Sequence, residues 1–576
     1  MVLPDTVRDS RRLTGPNLLG ELPGAVLDVE LPEEGADQAI ALWKEEVQRG
    51  LAAVGWEGQQ VAARRFHGGA SLFLSAPVDT LYAATELNEW AWISASARLA
   101  GGASLDHAPA LEALRTAITV ECRPAVLAMQ EAARWHGVAF LRDDELVSVG
   151  LGAGSITWPA DALPDPESIP WDRVHNITLA LVTGSNGKTT SVRLVAAMVA
   201  ATGRVVGSTT TDGIRVGAEP IEAGDFAGPE GARRLLRDSR VESAILETAR
   251  GGILRRGLAV RRADAVLVTN LAEDHLGEWG IHTMRDLAAA KLVVARALGE
   301  VRPLILSADD EDLADAAESI RAPIAWFSLD RQQHRLRPAI TNRALAGWIE
   351  SNSIVVARNG RAEVIARLDE VPVTLGGVAR HNVANALGAS LLAASMGVSR
   401  AAIADGLRGI TNSPEGNPGR LNLFEFGGLR VVLDFAHNPH GLRALMDMAT
   451  ALPALRRLVL IGQAGDRDDA SIRELARAAW AGHPDRVIVK EMLEYSRGRP
   501  EGEVVGILLG ELRRLGATPA QLDQATNELE AIHRALGWAR DGDLLLLTVH
   551  SDRDAAVALL RELARRGWRP GDTVPW

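Results

Sequence analysis

Apolar and polar positions fall into three textures along this chain. Over the first 165 or so residues strands and helices mix without alternating. "AVLDVELP" (25–32) reads as a strand, and "GADQAIALWKEEVQRGLAAV" (35–54) repeats its apolar residues at helical spacing. "QQVAARRF" and "ASLFLSA" predict two strands that pair around "HGG". "RPAVLAMQEAARWHG" predicts a helix closed by Gly137. "ADALPDPESIPWD", rich in Pro and acids, reads as a linker. From Ile177 strand and helix alternate: "ITLALVTG", then a helix "KTTSVRLVAAMVAATG" ending at Gly203, then "RVVGST", "VESAILE" and "DAVLVTN". A third stretch begins near Pro418, with "LRVVLDFA", "LRRLVLIGQAG", "DRVIVKE" and "DLLLLTVHS" as short buried strands between helices. Alternation of this kind predicts α/β units with mostly parallel sheets under helices. The expected domains are an N-terminal α+β domain over 1–165, a central α/β domain over 166–415, and a C-terminal Rossmann-like α/β domain over 416–576.

Composition narrows the picture. Hydrophobic residues make up 47% and charged residues 24% of 576 positions, as in an ordinary globular protein with sizeable cores. A net charge of −12 argues against a nucleic-acid partner, which needs a basic surface. No apolar run approaches the ~18 residues of a membrane helix, and "MVLPDTVRDSRR" lacks an apolar signal core. A single cysteine, Cys122, permits no intrachain disulfide and reads as a small buried hydrophobe. The expected location is the cytoplasm, with a small-molecule or acidic-peptide substrate, no membrane partner, and a homo-oligomer allowed. Lysine occurs only four times, at Lys44, Lys188, Lys291 and Lys490, in a chain that otherwise uses arginine. A lysine kept in such a chain is weighted toward a need for its amine.

Candidate chemistry gathers at predicted strand ends, where ligands of parallel sheets bind. "VTGSNGKTT" (182–190) follows an apolar strand and opens a helix. That is the context of a phosphate-binding loop, with Gly184, Ser185, Asn186 and Gly187 offering backbone N–H groups at a helix N-terminus. Lys188 would add charge at the phosphates, and the Thr189 hydroxyl, followed by Thr190, would ligate Mg²⁺. Only two residues separate the glycines, against four in the standard loop. Glu247 ends "AILE"; Asp274 and His275 follow "VTN"; Lys291 lies on the next helix.

The shortened loop resembles that of the Mur ligase superfamily, commonly TGTNGKTT, whose members join a carboxylate to an amine with ATP. The resemblance implies Mg²⁺ ligation by Glu247 and His275, and a carbamylated Lys291 supporting a second metal. "GGVARHNVANALGA" resembles the segment whose asparagines, here Asn382 and Asn385, serve the adenine. "NPGRLNLF" and "VVLDFAHNPHGLRAL" place Arg420 and Asp434 at positions that bind ATP from the C-terminal domain, with His437 in the matching Asp-x-Ala-His-x-Pro pattern. "STTTDGI", "ETARGGILRRGLA", "AGDRDD" and "RGRPEGE" are similar to the Mur-type half of cyanophycin synthetases, and "LTGPNLLGELPGAVLDVEL" to the opening of their N-terminal domain. The ATP-grasp domain that those enzymes carry between the two parts has no room here. The resemblance therefore implies at most the Mur-type activity: amide formation on an acidic amino acid, peptide or side chain through an acyl phosphate. Thr209, Thr210 and Asp212, in a predicted loop, and Arg250, Arg255 and His437 are candidate acceptor contacts. Two other readings stay open at this point: an ATP-binding partner or scaffold without catalysis, and a ligase of the peptidoglycan-precursor or folate branches.

Overall fold

The computed structural model describes residues 5–101, 107–274 and 276–575. Its centre is an eleven-stranded sheet. Seven strands in the middle run parallel, in the order Val206–Thr210, Ser243–Glu247, Thr178–Thr183, Ala265–Val268, Leu304–Ser307, Ile324–Ser328 and Ala346–Glu350. Antiparallel strands extend both edges: Gly213–Val216 with Glu219–Ala223 at one side, Ser353–Arg358 with Arg361–Arg367 at the other.

The continuous apolar run of Thr178–Thr183 follows from burial on two faces. Leu179 and Leu181 pack with Leu235, Ile253 and Leu287 on one side. Ala180 and Val182 pack on the other with Val192 and Met198 of helix Lys188–Ala200 and Leu387 of helix Arg380–Ser395. A strand between two helical layers has no solvent face to mark with polar residues.

The C-terminal part forms a separate six-stranded sheet, ordered Asn422–Phe426, Leu429–Asp434, Leu544–Thr548, Arg457–Ile461, Arg486–Lys490, Leu522–Ala525. It is parallel except for the first pair. All four strands expected there are present; Asn422–Phe426 and Leu522–Ala525 at its edges are additional.

Ahead of the central sheet lies a four-stranded antiparallel sheet, ordered Val7–Leu13, Gly24–Glu30, Gly69–Ser75, Val61–Phe66. The expected pairing around "HGG" is its last pair. Helices Ala36–Ala53 and Leu81–Leu99 cover one face around Trp43 and Trp90. Buried Asn88 ties the layers, accepting from Trp43 Nε1 at 2.9 Å and donating to the Leu72 carbonyl. The opposite face turns toward the central unit: Arg11 Nε donates to the Leu254 carbonyl at 2.9 Å, and Thr14 N to the Arg256 carbonyl at 2.7 Å. A small sheet, Phe140–Arg142, Leu146–Val149 and Ile156–Pro159, follows.

The architecture is therefore α/β, with a mostly parallel central sheet and separate N- and C-terminal subdomains. One placement is corrected: Thr209 and Thr210 are not in a loop but end strand Val206–Thr210, buried where it pairs with Gly213–Val216. β-Branched threonines fit that pleated, half-paired position. No described helix is long and apolar enough to cross a membrane.

Candidate active site

A cleft of about 1390 Å³ opens at the C-terminal ends of the central parallel strands, with the C-terminal unit as its other wall. It exceeds the size usual for a single small ligand. The loop 184–187 forms its floor. Gly184 has φ +141, and a Cβ there would lie 1.9 Å from Thr269 Oγ1. Gly187 has φ +81, and a Cβ would lie 2.1 Å from Asn385 Oδ1. Both glycines are thus fixed by left-handed backbone and by close neighbours. Asn270, on the next strand end, holds the loop: Ser185 N donates to its carbonyl at 3.0 Å and Asn186 N to its Oδ1 at 2.9 Å. Thr269 Oγ1 donates to the Asn186 carbonyl at 2.6 Å.

Helix Lys188–Ala200 begins at the loop, so its free N–H groups and positive end face the cleft. Lys188 Nζ donates to the Ser185 carbonyl at 3.1 Å. Thr189 Oγ1 donates to Glu247 Oε2 at 2.8 Å and lies 3.3 Å from Thr211 Oγ1. Glu247 is 2% exposed, and its Oε1 has no partner among the described residues. Burial raises its pKa, and the charge of Lys188 opposes that rise. A buried carboxylate oxygen without a donor, beside a hydroxyl and the phosphate loop, fits a hard divalent cation such as Mg²⁺. Among the described residues no three His, Cys, Asp or Glu side chains cluster as a metal cage. A Mg²⁺ held by a hydroxyl, one carboxylate and substrate phosphates needs no such cage.

Lys291, on helix Met284–Leu292, is buried and donates to the Gly184 carbonyl at 2.9 Å. Burial, then the neighbouring charge of Lys188, lowers its pKa well below that of an ordinary lysine, while Asp274 acts the other way. His275 lies outside the described residues.

Asn382 and Asn385 are buried on helix Arg380–Ser395 at one end of the cleft. Asn382 Nδ2 donates to the Val373 carbonyl at 2.9 Å, and Asn385 Nδ2 to Asn382 Oδ1 at 3.1 Å. From the C-terminal unit, Arg420 lies over the Phe435 ring at 4.3 Å. Asp434 accepts from Leu421 N at 2.7 Å and Ala436 N at 2.8 Å. His437 Nε2 lies 3.9 Å from Asp274 Oδ2. Also lining the cleft, Arg250 pairs with Glu278 at 2.6 Å, and Arg255 is exposed. Burial lowers the pKa of Arg250.

The cleft thus gathers Gly184 to Thr190, Glu247, Lys291, Asn382, Asn385, Arg420, Asp434, His437, Arg250 and Arg255. Thr210 and Asp212 do not line it. Asp212 is held by Arg193 at 2.6 Å and Arg553 at 2.5 Å. Burial alone would raise its pKa, but three arginines outweigh this and lower it. Sequence reasoning passed over Thr211, beside Thr189, and over Asn438 and His440, which touch Asn186 across the gap at 2.9 and 3.1 Å. The "DFAHNPHG" segment held the last two in plain view; only the fold shows that they meet the loop.

Two family models match this chain: the Mur ligase middle domain over residues 182–393, and the Mur ligase glutamate ligase domain over 419–550. Together they take in both walls of the cleft. The chain belongs to the Mur ligase superfamily. Its classification is that of an ATP-dependent ligase of the Mur type. It is 37% identical over 397 residues to a cyanophycin synthetase of Nostoc sp., covering 69% of this chain and 44% of that one. It is 25% identical over 463 residues to the UDP-N-acetylmuramoyl-L-alanyl-D-glutamate–2,6-diaminopimelate ligase of Geobacter metallireducens, covering 70% of this chain and 86% of that one. Among solved structures, MurF from Acinetobacter baumannii matches with a TM-score of 0.48 at 17% identity, covering 67% of this chain and 77% of that one. The chain spans less than half the length of the cyanophycin synthetases it matches. Its Mur-type sequence and its cleft coincide; the N-terminal sheet lies outside both family models.

Proposed function

We propose that this Mur-type chain is a carboxylate–amine ligase that uses ATP to activate a carboxylate of an acidic amino acid, peptide or side chain, and joins it to the amine of an amino acid or other small molecule. The observation that carries the reading is the contact of Thr189 with buried Glu247 beside Lys188 and Lys291, at the mouth of a phosphate loop. In this reading Gly184, Ser185, Asn186, Gly187, Lys188 and Thr190 bind the ATP phosphates, Asn382 and Asn385 serve the base, and Arg420 and Asp434 close on the nucleotide. Thr189, Glu247 and His275 would hold Mg²⁺, which supplies charge stabilisation at the transferring phosphoryl group when bound. Lys188 places its ammonium on the same oxygens. The carboxylate attacks the γ-phosphorus and ADP departs; the amine then attacks the acyl phosphate carbon, loses a proton, and inorganic phosphate leaves. Holding three reactants in one closed cleft supplies much of the rate and keeps water from the acyl phosphate.

Lys291 supports this reading in a second way. Burial and the charge of Lys188 lower its pKa and so favour the neutral amine, and only a neutral amine adds to CO₂ to give a carbamate. A carbamate at Lys291 would put an anion beside Lys188; the amine donates to the Gly184 carbonyl, and the charge of Asp274 opposes the fall in its pKa.

Phosphate release from Mg·ATP, measured across a matrix of amino acids with β-aspartyl peptides and poly-aspartate, tests the proposal when the products are weighed by mass spectrometry. A new amide formed one-for-one with ADP is the expected result. Nucleotide binding without turnover on every pair would overturn it in favour of a non-catalytic binding role.

A further inference from the structure

The turn at 277–281 is built against its own sequence. Glu278 and Ile281 form an antiparallel bridge, with Ile281 N donating to the Glu278 carbonyl at 3.0 Å. The two residues between them both have positive φ: Trp279 at +56° and Gly280 at +68°. A turn with two left-handed central residues selects Asn-Gly or Gly-Gly. A tryptophan at the first place costs about 1–2 kcal/mol of backbone strain. Strain of this kind persists only where the surroundings impose it and a use repays it.

The surroundings come from the N-terminal sheet. Arg11 sets its guanidinium 4.5 Å from the centre of the Trp279 ring while its Nε holds the Leu254 carbonyl. Arg64 donates to the Gly280 carbonyl at 2.6 Å and to Asp286 at 2.9 Å. Phe66 stacks on His282 at 5.7 Å and fills the space where any Cβ on Gly280 would lie, 2.4 Å from its ring. These three side chains project from the sheet face opposite its covering helices and touch the turn from behind. Asp286 in turn caps helix Met284–Leu292, which carries Lys291.

The use lies on the other side of the ring. Trp279 lines the cleft with Glu278, Arg250 and Arg255, on the flank of helix Arg250–Arg256. Trp279 and helix Arg250–Arg256 pack with the core on one face of the central sheet, and the helix carrying Asn382 and Asn385 packs with the core on the other, so Trp279 stands across the sheet from the proposed base site.

We propose that Trp279 is a specificity-determining wall of the acceptor end of the cleft, and that the N-terminal unit acts as the positioning element that holds it there through Arg11, Arg64 and Phe66. The acceptor assignment rests on the ligase reading; the holding of the turn does not. An apolar ring beside exposed Arg255, with Arg250 held by Glu278, suits an acceptor that is anionic with an alkyl stem, such as an aspartyl chain.

The test uses the full chain. Hydrogen exchange in the presence of Mg²⁺ and ADP is compared between wild type and Arg64→Ala: peptides covering 277–286 should exchange about tenfold faster, while the phosphate loop keeps its protection. Arg64→Lys should recover part of the protection. Unchanged exchange over 277–286 would overturn the positioning role. Trp279→Asn gives the turn its preferred residue, so a purely structural tryptophan predicts equal or greater stability and unchanged kinetics. We expect instead that the KM for β-aspartyl peptide or poly-aspartate rises about tenfold, the loss of one well-packed contact, with the KM for ATP within twofold. Equal changes in both constants, or none, would refute the wall. A wild-type enzyme silent on both acceptors counts against the ligase reading and the acceptor wall together, while the exchange result still decides whether the N-terminal unit holds the turn.

Discussion

A lysine buried next to another lysine parts easily with its proton, and Lys291 is that lysine. It binds a proton less readily in the folded chain than in the unfolded one. Unfolding therefore takes up a proton between the two pKa values, and stability rises with pH across that interval. In CO₂-free buffer, Lys291→Met should remove this contribution, seen as a flatter denaturation midpoint than in wild type as pH rises toward the ordinary lysine range; equal slopes would contradict the burial of a neutral amine. With ¹³C-bicarbonate present, wild type should show a carbamate resonance that Lys291→Arg lacks, and Lys291→Arg should ligate poorly. Lys188 has a plainer role in the proposal. Replacing it with Ala should lower ATP turnover about a hundredfold or more, the scale for losing a charge aimed at the reacting phosphoryl group. Near-wild-type turnover would remove the phosphate-loop assignment. At this scale the sequence spoke clearly for Lys188 and Thr189, because loop, strand and helix lie together in one stretch. It said nothing of Trp279, whose strained backbone and stacking partner Arg11 lie far apart in sequence.

Among secondary-structure elements the clearest case is strand Arg486–Lys490 of the C-terminal sheet. Lys490, ending Arg486–Lys490, is buried, ion-paired to Glu528, and donates to the Thr548 carbonyl at 2.7 Å. Glu528 opens helix Glu528–Trp538 and also accepts from His550 N, Ser551 N and Asp552 N. One ion pair thus staples two strands, a helix start and the chain leading into helix Arg553–Arg566. Breaking such a pair strands a buried charge, so Lys490→Met should cost about 3–5 kcal/mol, measured by chemical denaturation. A loss under about 1 kcal/mol would mean that the carboxylate is neutralised at little cost. Four of the seven parallel strands of the central sheet were legible as short apolar runs ending in polar residues, while Leu304–Ser307, Ile324–Ser328 and Ala346–Glu350 were passed over. The edge hairpins were not legible either: Ser353–Arg358 and Arg361–Arg367 carry exposed charges, and "RNG" between them was passed over despite being a turn signal.

At the level of the whole molecule, polar contacts across the cleft tie the C-terminal unit to the central one. Asp212 lies between Arg193 and Arg553, Arg193 also reaches Asn417 at 2.8 Å, and Asn186 meets Asn438 and His440. A part-buried clamp of this kind is worth about 1 kcal/mol, enough to shift a balanced open–closed equilibrium severalfold. Arg553→Ala should therefore enlarge the radius of gyration of the nucleotide-free protein in small-angle scattering, with Mg²⁺ and a non-hydrolysable ATP analogue restoring the compact value. An unchanged radius would place the clamp among contacts without influence on closure. That the site lies between two units was legible, but the contacts of Asp212 with Arg553, Arg193 with Asn417 and Asn186 with Asn438 and His440 were not, since each joins separate units and no local pattern marks it.

The scarcity of lysine has a practical consequence. Of the four, Lys44 is exposed, Lys188 is half-buried at the cleft floor, and Lys291 and Lys490 are buried. An acylating dye at mild pH therefore meets one surface side-chain amine, on the helix that covers the N-terminal sheet. Labelled there, the native protein carries one surface side-chain reporter far in sequence from the cleft, and acylation at Lys188, read by peptide mapping, becomes a footprint of nucleotide occupancy.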